Sequence, residues 1–371
     1  MNVLVTGGAG FIGSHLVDSL VEKGHNVRIF DSLVEQVHGG GAPPHLNPNA
    51  EFVQADLCDP DEVAKALDGI ETVYHQAAEV GIGQSMYEIV RYVRGNALGT
   101  AVLLEEMTRR SGRFKKLVVA STMSIYGEGA YKCSACNVKS YPGVRPDEQF
   151  EAHQWEFKCD KCGNDLDPIG TDEHKPLFPT SIYAASKLDQ ENYSLAIGRA
   201  YKIPTVALRY FNVYGTRQAL SNPYTGACAI FSARLLNDKP PAIFEDGGQS
   251  RDFTHVSDIV QANLLAGETD KCDYESFNIG TGNGTSIRRI AELLAEGLGK
   301  SIEPDIVGKY REGDIRHCLA DITKARKLLG YEPKVTLEAG LSELLDWVRG
   351  QKPVDKLAGA TEELASRSLV K

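Results

Sequence analysis

Short apolar runs that end at glycine or acidic residues recur along the first part of the chain and predict buried strands. The first run, at 3–5, leads into a glycine-rich stretch at 6–13, and apolar residues at helical spacing follow over 16–21. A second run, at 27–30, ends at Asp31. This order predicts a strand, a glycine turn, a helix and a second strand, because the apolar positions change from a continuous run to helical spacing after the glycines.

The glycine turn has the spacing of a dinucleotide-binding fingerprint, with an acidic residue about 20 positions further on. Gly7 is expected to allow the tight turn, Gly10 to let a pyrophosphate approach the backbone, and Gly13 to let the helix pack closely. The phosphates would lie at the helix N-terminus, beside Phe11 and Ile12, where amide groups and the helix dipole favour anions. The alternative is an ordinary glycine turn, which would not need a strand before it, a helix after it and an acidic residue at the end of the next strand.

Asp31 predicts which dinucleotide is bound. A carboxylate at the end of the second strand accepts hydrogen bonds from the adenosine ribose hydroxyls and repels a 2′-phosphate. The next two residues, Ser32 and Leu33, offer no cation. The sequence therefore predicts NAD rather than NADP as the cofactor.

The alternation continues and predicts an α/β fold with a Rossmann-type, doubly wound parallel sheet. Asp56 and Leu57 follow the third strand, where an acid would cap the adenine amino group, and Ala77 follows the fourth, where small residues leave space beside the cofactor. Further strands are predicted at 52–53, 72–75, 117–120 and 205–208, and a long helix that carries Asn96 is predicted at 84–110.

Hydroxyl groups, among them those of Thr122 and Ser124, follow the fifth strand, and ligands of open α/β sheets bind at such strand ends. Tyr183 and Lys187 lie four positions apart in a helical pattern and therefore share one helix face. Alone, such a pair is more often two surface neighbours, but this one follows a dinucleotide fingerprint. A lysine ammonium and a cationic nicotinamide both favour phenolate, which predicts a lowered pKa for Tyr183 and a general-base role.

Strands become sparse after Asn212, which predicts a smaller C-terminal lobe for the substrate. Arg251 and Arg311 lie in polar loops of this lobe, and a guanidinium matches diphosphate oxygens bidentately. Some of the other arginines are expected on the solvated surface. The arginines that recur in this otherwise acidic region are Arg217, Arg234, Arg251, Arg311 and Arg316. A last helix is predicted at 337–349, followed by a loosely ordered polar tail at 351–371.

The segment 128–170 interrupts the alternation and carries two Cys-x-x-Cys pairs, Cys133 with Cys136 and Cys159 with Cys162. This spacing is typical of a zinc ribbon, in which four thiolates converge on one structural zinc ion and close its coordination shell. Two disulfides or four unrelated thiols are the alternatives. Because the segment has little apolar periodicity of its own, the metal would supply its folding free energy.

Composition excludes several classes of function. The 371 residues are 42% hydrophobic and 24% charged, as in globular enzymes, and the net charge of −10 argues against nucleic acid as a partner. No apolar stretch reaches membrane-spanning length, so no membrane partner is expected. Met1 is followed directly by the first predicted strand, so we expect no signal peptide and a cytoplasmic protein.

Taken together, the motifs resemble those of the extended short-chain dehydrogenases/reductases that act on nucleotide sugars. The resemblance spans nearly the whole chain except the cysteine insertion and the tail. It rests on Thr-Gly-Gly-Ala-Gly-Phe-Ile-Gly at 6–13, Thr122 four residues before Tyr126-Gly127, Tyr183-x-x-x-Lys187, Arg-Tyr-Phe-Asn at 209–212, Arg-Asp-Phe at 251–253 and Arg-Glu-Gly-Asp at 311–314.

The resemblance implies an NAD-dependent enzyme whose site residues can be named. Thr122, Tyr183 and Lys187 would be the catalytic residues. The expected cofactor-binding residues are Gly7, Gly10, Phe11, Ile12, Gly13, Asp31, Asp56, Leu57, Ala77, Asn96, Tyr183, Lys187 and Tyr210. The expected substrate-binding residues are Ser124, Asn212, Arg217, Arg251, Arg311 and Asp314, of which Asn212 and Arg251 would hold the diphosphate, while Arg311 and Asp314 would face the nucleoside.

It also implies a domain arrangement and a homodimer that pairs the helices at 84–110 and 183–201. The expected domains are an NAD-binding domain at 1–127 and 171–211, to which 249–269 returns, the insertion at 128–170, a nucleotide-sugar-binding lobe at 212–248 and 270–350, and the tail.

Two residues after Thr122 bear on the reaction. The 4,6-dehydratases carry Asp-Glu there to eliminate water, whereas this chain has Met123-Ser124. The outline is instead similar to that of a 4-epimerase, which inverts C4 through a 4-keto sugar. The stretches 81–87 and 214–224 and the cysteine insertion are similar to dTDP-L-rhamnose 4-epimerases. UDP-glucose or UDP-glucuronate 4-epimerases, an oxidoreductase or decarboxylase, and a non-catalytic NAD-sensing or nucleic-acid-binding protein are the alternatives.

Overall fold

Strands and helices alternate along residues 1–371, all of which the computed structural model describes. The strands are β1 Asn2–Thr6, β2 Asn26–Asp31, β3 Glu51–Gln54, β4 Thr72–His75, β5 Lys116–Thr122, β6 Ala130–Lys132, β7 Lys139–Ser140, β8 Asp167–Thr171, β9 Thr205–Tyr210, β10 Asn212–Tyr214, β11 Ala242–Ile243, β12 Ser250–Arg251, β13 Phe253–His255, β14 Glu275–Ile279, β15 Thr285–Ser286, β16 Asp305–Ile306 and β17 His317–Ala320.

The helices cover both faces of the main sheet and build most of the second lobe. They are α1 Phe11–Glu22, α2 Glu35–His38, α3 Pro60–Ala66, α4 Ile82–Ser85, α5 Ile89–Tyr92, α6 Gly99–Thr108, α7 Asp147–Glu151, α8 Ile182–Tyr201, α9 Ala227–Leu236, α10 Val256–Glu268, α11 Ile287–Leu298, α12 Thr323–Leu329, α13 Leu337–Arg349 and α14 Leu357–Ser366. None of them is both long enough and apolar enough to span a membrane.

Seven parallel strands form the main sheet in the order β14-β9-β5-β4-β1-β2-β3. Every residue of β4, β5 and β9 is buried, because helices cover both faces of the sheet. This confirms the predicted Rossmann-type sheet. The strand order reverses between β1 and β4, so the crevice that binds ligands in such sheets opens at the carboxyl ends of these strands.

The prediction of one continuous helix at 84–110 is wrong. Met86, Tyr87 and Glu88 separate α4 from α5, and the chain then widens into a π-helical turn at Val93–Leu98 before α6 begins. The buried Asn96 side chain bonds the backbone of Glu79 from inside this turn. The spacing of apolar residues does not predict this turn, because its effect is to place one polar side chain, that of Asn96, in the interior.

The tail is also more ordered than predicted. Residues 357–366 form α14, with Ala360 and Leu364 buried one helical turn apart. Val370 then pairs with Arg311 in an antiparallel bridge. The prediction was wrong because the many charged residues of this segment obscure one short apolar face.

One strand of the main sheet and the three strands of the insertion depart from the predicted domains. Strand β14 lies beside β9 in the main sheet, so the assignment of 270–350 wholly to the substrate lobe is wrong for this strand. The insertion is not a separate unit either, because β6, β7 and β8 continue a sheet of order β15-β12-β17-β8-β6-β7. The strands of the insertion therefore support the lobe that carries Arg251.

Candidate active site

A single large cavity of about 980 Å³ lies between the carboxyl ends of the main-sheet strands and the second lobe. Of the predicted site residues outside the insertion, every one except Asn96 lines it: Gly7, Gly10, Phe11, Ile12, Gly13, Asp31, Asp56, Leu57, Ala77, Thr122, Ser124, Tyr183, Lys187, Tyr210, Asn212, Arg217, Arg251, Arg311 and Asp314. The sequence prediction thus identified residues from distant segments that share one enclosed space.

The glycine loop can bring a ligand against the backbone. Gly7 has φ of +68°, and a Cβ there would lie 2.7 Å from the Ala77 nitrogen, so a side chain is excluded on both counts. A Cβ at Gly13 would clash with the Gly7 carbonyl, which means that α1 packs on the loop itself. A Cβ at Gly10 would meet only the Gly7 oxygen, and the residue faces the cavity. This geometry fits a dinucleotide pyrophosphate.

The Asp31 carboxylate is held in place at the end of β2. Its Oδ2 accepts from the Ala9 amide at 3.1 Å and its Oδ1 accepts from the Leu33 amide at 2.9 Å. His38 Nε2 lies 3.6 Å from Oδ1 and also lines the cavity. Sequence reasoning missed this imidazole, because α2 brings it to Asp31 from seven positions away.

The adenine end of the predicted site lies beside Asp31, since β3 pairs with β2. Asp56 accepts from the Cys58 amide at 2.8 Å and forms an exposed ion pair with Arg94 at 2.8 Å. Arg94 lines the cavity as well and was not predicted. It comes from the π-helical turn, where the sequence indicated only a regular helix.

Thr122 and Tyr183 face the same part of the cavity from β5 and α8. Thr122 caps the 3₁₀ turn Met123–Tyr126 by accepting from the Ser124 amide at 3.2 Å. Burial raises the pKa of Tyr183, while a hydrogen bond with Thr122 lowers it. The predicted lowering therefore requires positive charge beyond what the neighbouring residues provide in this structure.

Lys187 is buried and firmly oriented. Its Nζ donates to the Ala120 carbonyl and to Gln190 Oε1, both at 2.6 Å. Burial lowers the pKa of Lys187 to about 7, so that its ammonium and amine forms coexist near neutral pH. Lys187 can therefore carry positive charge beside Tyr183 when a hydroxyl group or an anion of a bound ligand stabilises its ammonium form.

A buried polar network connects Lys187 to the first strand, and sequence reasoning missed it. Gln190 donates to the Thr100 hydroxyl at 2.7 Å, and His75 bonds the hydroxyls of Thr100 at 2.8 Å and Thr6 at 2.7 Å. Burial lowers the pKa of His75 to about 3, so this imidazole is neutral. The network fixes Lys187 against β4 without adding a charge.

Asn96 does not line the cavity, which corrects its prediction as a cofactor-binding residue. Its side chain is fully buried, accepts from the Glu79 amide at 2.7 Å, and donates to the Glu79 carbonyl at 3.1 Å and to Ser186 at 2.9 Å. Asn96 instead positions the loop after β4 against the helix that carries Tyr183.

The opposite end of the cavity is cationic. Arg251 donates to the carbonyls of Ser250, Ile315 and Arg316, which orients its guanidinium. The buried Oδ1 of Asn212 has no protein partner, as expected of a side chain that binds a ligand.

Arg311 stacks over Phe244, at 4.6 Å from the ring centroid, and pairs with Asp314 at 2.8 Å. These residues present an aromatic face and a fixed charge to the cavity, which fits a nucleoside. Arg217 pairs with Asp18 of α1 at 2.7 Å.

Two of the recurrent arginines are outside the cavity. Arg316 is buried and pairs with Glu156, Glu245 and Asp246. Arg234 pairs with Asp355 at 3.3 Å. Both are structural, and the buried Arg316 is not one of the arginines expected on the solvated surface.

The four cysteines of the insertion lie together. The sulfur atoms of Cys133, Cys136, Cys159 and Cys162 are all within 4.8 Å of one another, and all eight cysteines of the chain are free thiols. Two tight turns present them, in which Asn137 and Gly163 donate to the carbonyls of the first cysteine of each pair at 2.8 Å. A tetrahedral zinc ion with Zn–S bonds of about 2.3 Å needs sulfur atoms about 3.8 Å apart, so this arrangement fits it.

Comparison with known proteins identifies relatives along the whole chain. Residues 3–155 match the NAD dependent epimerase/dehydratase family, and residues 163–344 match the GDP-mannose 4,6 dehydratase family. A dTDP-L-rhamnose 4-epimerase of Burkholderia thailandensis is 36% identical over 93% of this chain and 94% of its own.

Solved structures agree with this relationship. The UDP-glucose 4-epimerase of Thermotoga maritima, solved with UDP-glucose, has a TM-score of 0.77 and 36% identity, covering 94% of this chain and 99% of that chain. The UDP-glucose 4-epimerase of Thermus thermophilus, solved in complex with NAD, has a TM-score of 0.76 and 32% identity, covering 95% of this chain and all of that one.

Asp31→Asn is expected to weaken NAD binding about tenfold and to reduce the discrimination against NADP, because the amide accepts fewer ribose hydrogen bonds and no longer repels a 2′-phosphate. Isothermal titration calorimetry with both dinucleotides measures the two affinities. Asp68→Asn, at an exposed carboxylate outside the cavity, is the control. An unchanged ratio of the NAD and NADP affinities would contradict the role given to Asp31.

Proposed function

The chain belongs to the NAD-dependent epimerase/dehydratase family, and from this premise we propose that it is a nucleotide-sugar 4-epimerase whose substrate is dTDP-L-rhamnose. The observation that carries the reaction type is the convergence of Thr122, Tyr183 and Lys187 on the cavity that also contains the glycine loop. A hydroxyl, a phenol and an oriented lysine beside a dinucleotide site are what oxidation of a sugar alcohol needs.

Tyr183, as phenolate, takes the proton from the sugar 4-hydroxyl. Thr122 shares this proton, since its hydroxyl interacts with Tyr183. Lys187, held by Ala120 and Gln190, binds the ribose and stabilises the phenolate electrostatically. Burial keeps the pKa of Tyr183 raised despite the hydrogen bond with Thr122, so the phenolate depends on the positive charge of Lys187 and of the bound nicotinamide.

NAD, which the glycine loop and Asp31 would hold, would supply the hydride acceptor for C4 and then the hydride donor to the opposite face of the 4-keto sugar, so that there is no net redox change. Arg251 and Asn212 hold the diphosphate while the sugar turns over between the two half-reactions. A substrate anchored at the diphosphate can present either face of C4 to the same phenol.

Met123 and Ser124 argue against a dehydratase. Elimination of water across C5 and C6 needs an acid and a base beside Thr122, and these two side chains provide neither. The choice of dTDP-L-rhamnose is supported by the Burkholderia relative and by the stretches at 81–87 and 214–224. UDP-glucose and UDP-glucuronate are the substrates against which it is tested.

Tyr183→Phe is expected to lower turnover by about two orders of magnitude or more while NAD stays bound, because the ring remains and only the base is lost. Nuclear magnetic resonance of the products from dTDP-L-rhamnose, UDP-glucose and UDP-glucuronate measures epimerisation in wild type and variant. Tyr141→Phe, at an exposed tyrosine that does not line the cavity, is the control. Near-normal turnover in Tyr183→Phe would rule out the mechanism, and release of CO2 or net consumption of NAD would indicate a decarboxylase or an oxidoreductase.

We further propose that the four cysteines of the insertion hold one structural zinc ion. Four thiolates leave no open coordination position, so the ion stabilises the segment and takes no part in the reaction. The apolar support around the cluster is small, consisting of Tyr131, Phe157 and Leu166. Metal binding therefore supplies much of the folding free energy of the insertion.

One zinc ion per chain is expected by elemental analysis of protein prepared without chelators. Cys159→Ser should lower this content and raise the KM for the nucleotide sugar more than it weakens NAD binding, because the insertion supports the substrate lobe. Cys272→Ser, at a buried cysteine outside the cluster, is the control and should retain the zinc. Absence of stoichiometric zinc in the wild type would refute the site.

A homodimer is proposed from an exposed apolar surface. Side chains of α5 and the following π-helical turn expose Ile89, Val90 and Val93 to solvent, with Val90 at 79%. Tyr193 and Tyr201 of α8 are also exposed, and α8 packs beside this segment. A second copy of the chain can cover this surface with the same helices across a two-fold axis, giving an isologous four-helix contact.

Light scattering at micromolar concentration is expected to give twice the mass of one chain. Val90→Glu should shift the mass towards the monomer, because it places charge at the centre of the proposed contact. Val144→Glu changes another exposed valine, in the insertion, and should leave the mass unchanged. A monomeric wild type would reject the dimer.

A further inference from the structure

The last residues of the chain, 354–371, form a C-terminal strap along one side of the cavity. The strap is anchored where it begins. The buried Asp355 carboxylate pairs with Lys239 at 2.9 Å and with Arg234 at 3.3 Å, and the Val354 amide donates to the Ser221 hydroxyl at 3.0 Å. This end of the strap is therefore attached to α9 and its flanking loops.

The strap is also anchored where it ends. The Tyr310 amide donates to the Lys371 carbonyl at 3.1 Å, and the Lys371 amide donates to the Tyr310 carbonyl at 3.0 Å. The Glu312 amide donates to the Leu369 carbonyl at 3.0 Å. These bonds join the strap to the loop that carries Arg311, at the nucleoside end of the cavity.

Between its anchors, the strap packs on the loop that follows β4. A Cβ placed on Gly83 would lie 3.2 Å from Leu364 Cδ1, and the Arg367 guanidinium lies over the Tyr87 ring at 4.5 Å. Helix α4, which contains Gly83, packs on α8, the helix that carries Tyr183, and the Tyr92 ring lies 6.5 Å from the Tyr183 ring. The strap thus extends from the catalytic end to the nucleoside end.

The strap and the loops facing it form an uncharged wall of the cavity. Leu357, Ala360 and Leu364 come from the strap, and Ile82 and Pro223 face the same cavity. The nearby Arg91 is already paired with Glu79 at 2.7 Å and with Glu88 at 2.9 Å. A sugar carboxylate beside this wall would lose its hydration without gaining a cation.

We propose that Ala360 and Leu364 are specificity-determining residues that select a nucleotide sugar with an uncharged carbon 6, namely the methyl group of a 6-deoxyhexose, over a uronate. This inference rests on the proposed 4-epimerase function. The apolar wall contacts the methyl group and excludes a carboxylate, whose burial there is uncompensated.

The test compares substrates that differ only at carbon 6: UDP-6-deoxyglucose, UDP-glucose and UDP-glucuronate, with dTDP-L-rhamnose as the reference. The wild type should have a kcat/KM for the uronate about a hundredfold or more below that for the 6-deoxy sugar. Leu364→Ala should lower kcat/KM for the 6-deoxy sugar about tenfold. Thr361 lies at a partly exposed position of the strap and lines the cavity. Thr361→Arg should reduce the ratio of kcat/KM for the 6-deoxy sugar to kcat/KM for the uronate about tenfold, because the arginine supplies a cation.

Glu362→Ala is the matched control, since Glu362 is exposed on the same helix and does not line the cavity. If the protein epimerises the sugars but neither Leu364→Ala nor Thr361→Arg changes their ranking by kcat/KM, this inference is overturned and the epimerase function stands. Absence of 4-epimerase turnover on every sugar would instead refute the proposed function. If Leu364→Ala loosens the strap, as judged by its thermal midpoint, the ranking measured with Thr361→Arg decides.

Discussion

The buried ion pair between Glu191 and Arg209 is the interaction on which the candidate active site depends. Arg209 Nη2 lies 2.6 Å from Glu191 Oε1, and the Ser121 hydroxyl donates to Glu191 Oε2 at 2.6 Å. Arg209 also bonds the Tyr126 hydroxyl at 2.7 Å, which donates to Asn278 Oδ1 at 2.7 Å. One charge pair thus joins α8, three neighbouring strands and the turn after Thr122. Removing either partner would leave a buried charge uncompensated, at a cost of about 3–5 kcal/mol.

The geometry of the proposed catalytic residues follows from this pair. Tyr183, Lys187 and Glu191 recur every four residues and so lie along one face of α8. Glu191 ties that face to Ser121, and the next residue of the strand is Thr122, whose side chain points to the other side of the backbone. A helix anchored at Glu191 therefore presents Tyr183 to Thr122 with little freedom to rotate. The ion pair contributes less as net stability than as registry between a helix and a strand.

The parts of this structure that local sequence encodes were predictable, and the parts that depend on distant partners were not. A strand followed by Gly7, Gly10 and Gly13 needs only its own residues to be recognised, because backbone conformation and close packing require glycine there. The His75 network was invisible in the sequence, since its partners Thr6 and Gln190 lie 69 and 115 positions away. Strand β14 and helix α14 were misassigned for the same reason. Each is short, and each forms because of the surface on which it packs, since its own sequence has no clear strand or helix periodicity.

The insertion shows how a segment without a core of its own can control a binding site. Glu128, at its start, accepts from the amides of Arg316 at 2.6 Å and His317 at 3.3 Å. The carbonyls of Ile315 and Arg316 in turn orient the guanidinium of Arg251. The backbone at 315–317 thus accepts hydrogen bonds from Arg251 through its carbonyls and donates hydrogen bonds to Glu128 through its amides. Since Glu128 is buried, an insertion that moved away would leave these two amides without their acceptor beside the carbonyls that hold Arg251. The insertion is therefore joined to the backbone that orients Arg251 through the hydrogen bonds of Glu128, while none of its four clustered cysteines lines the cavity.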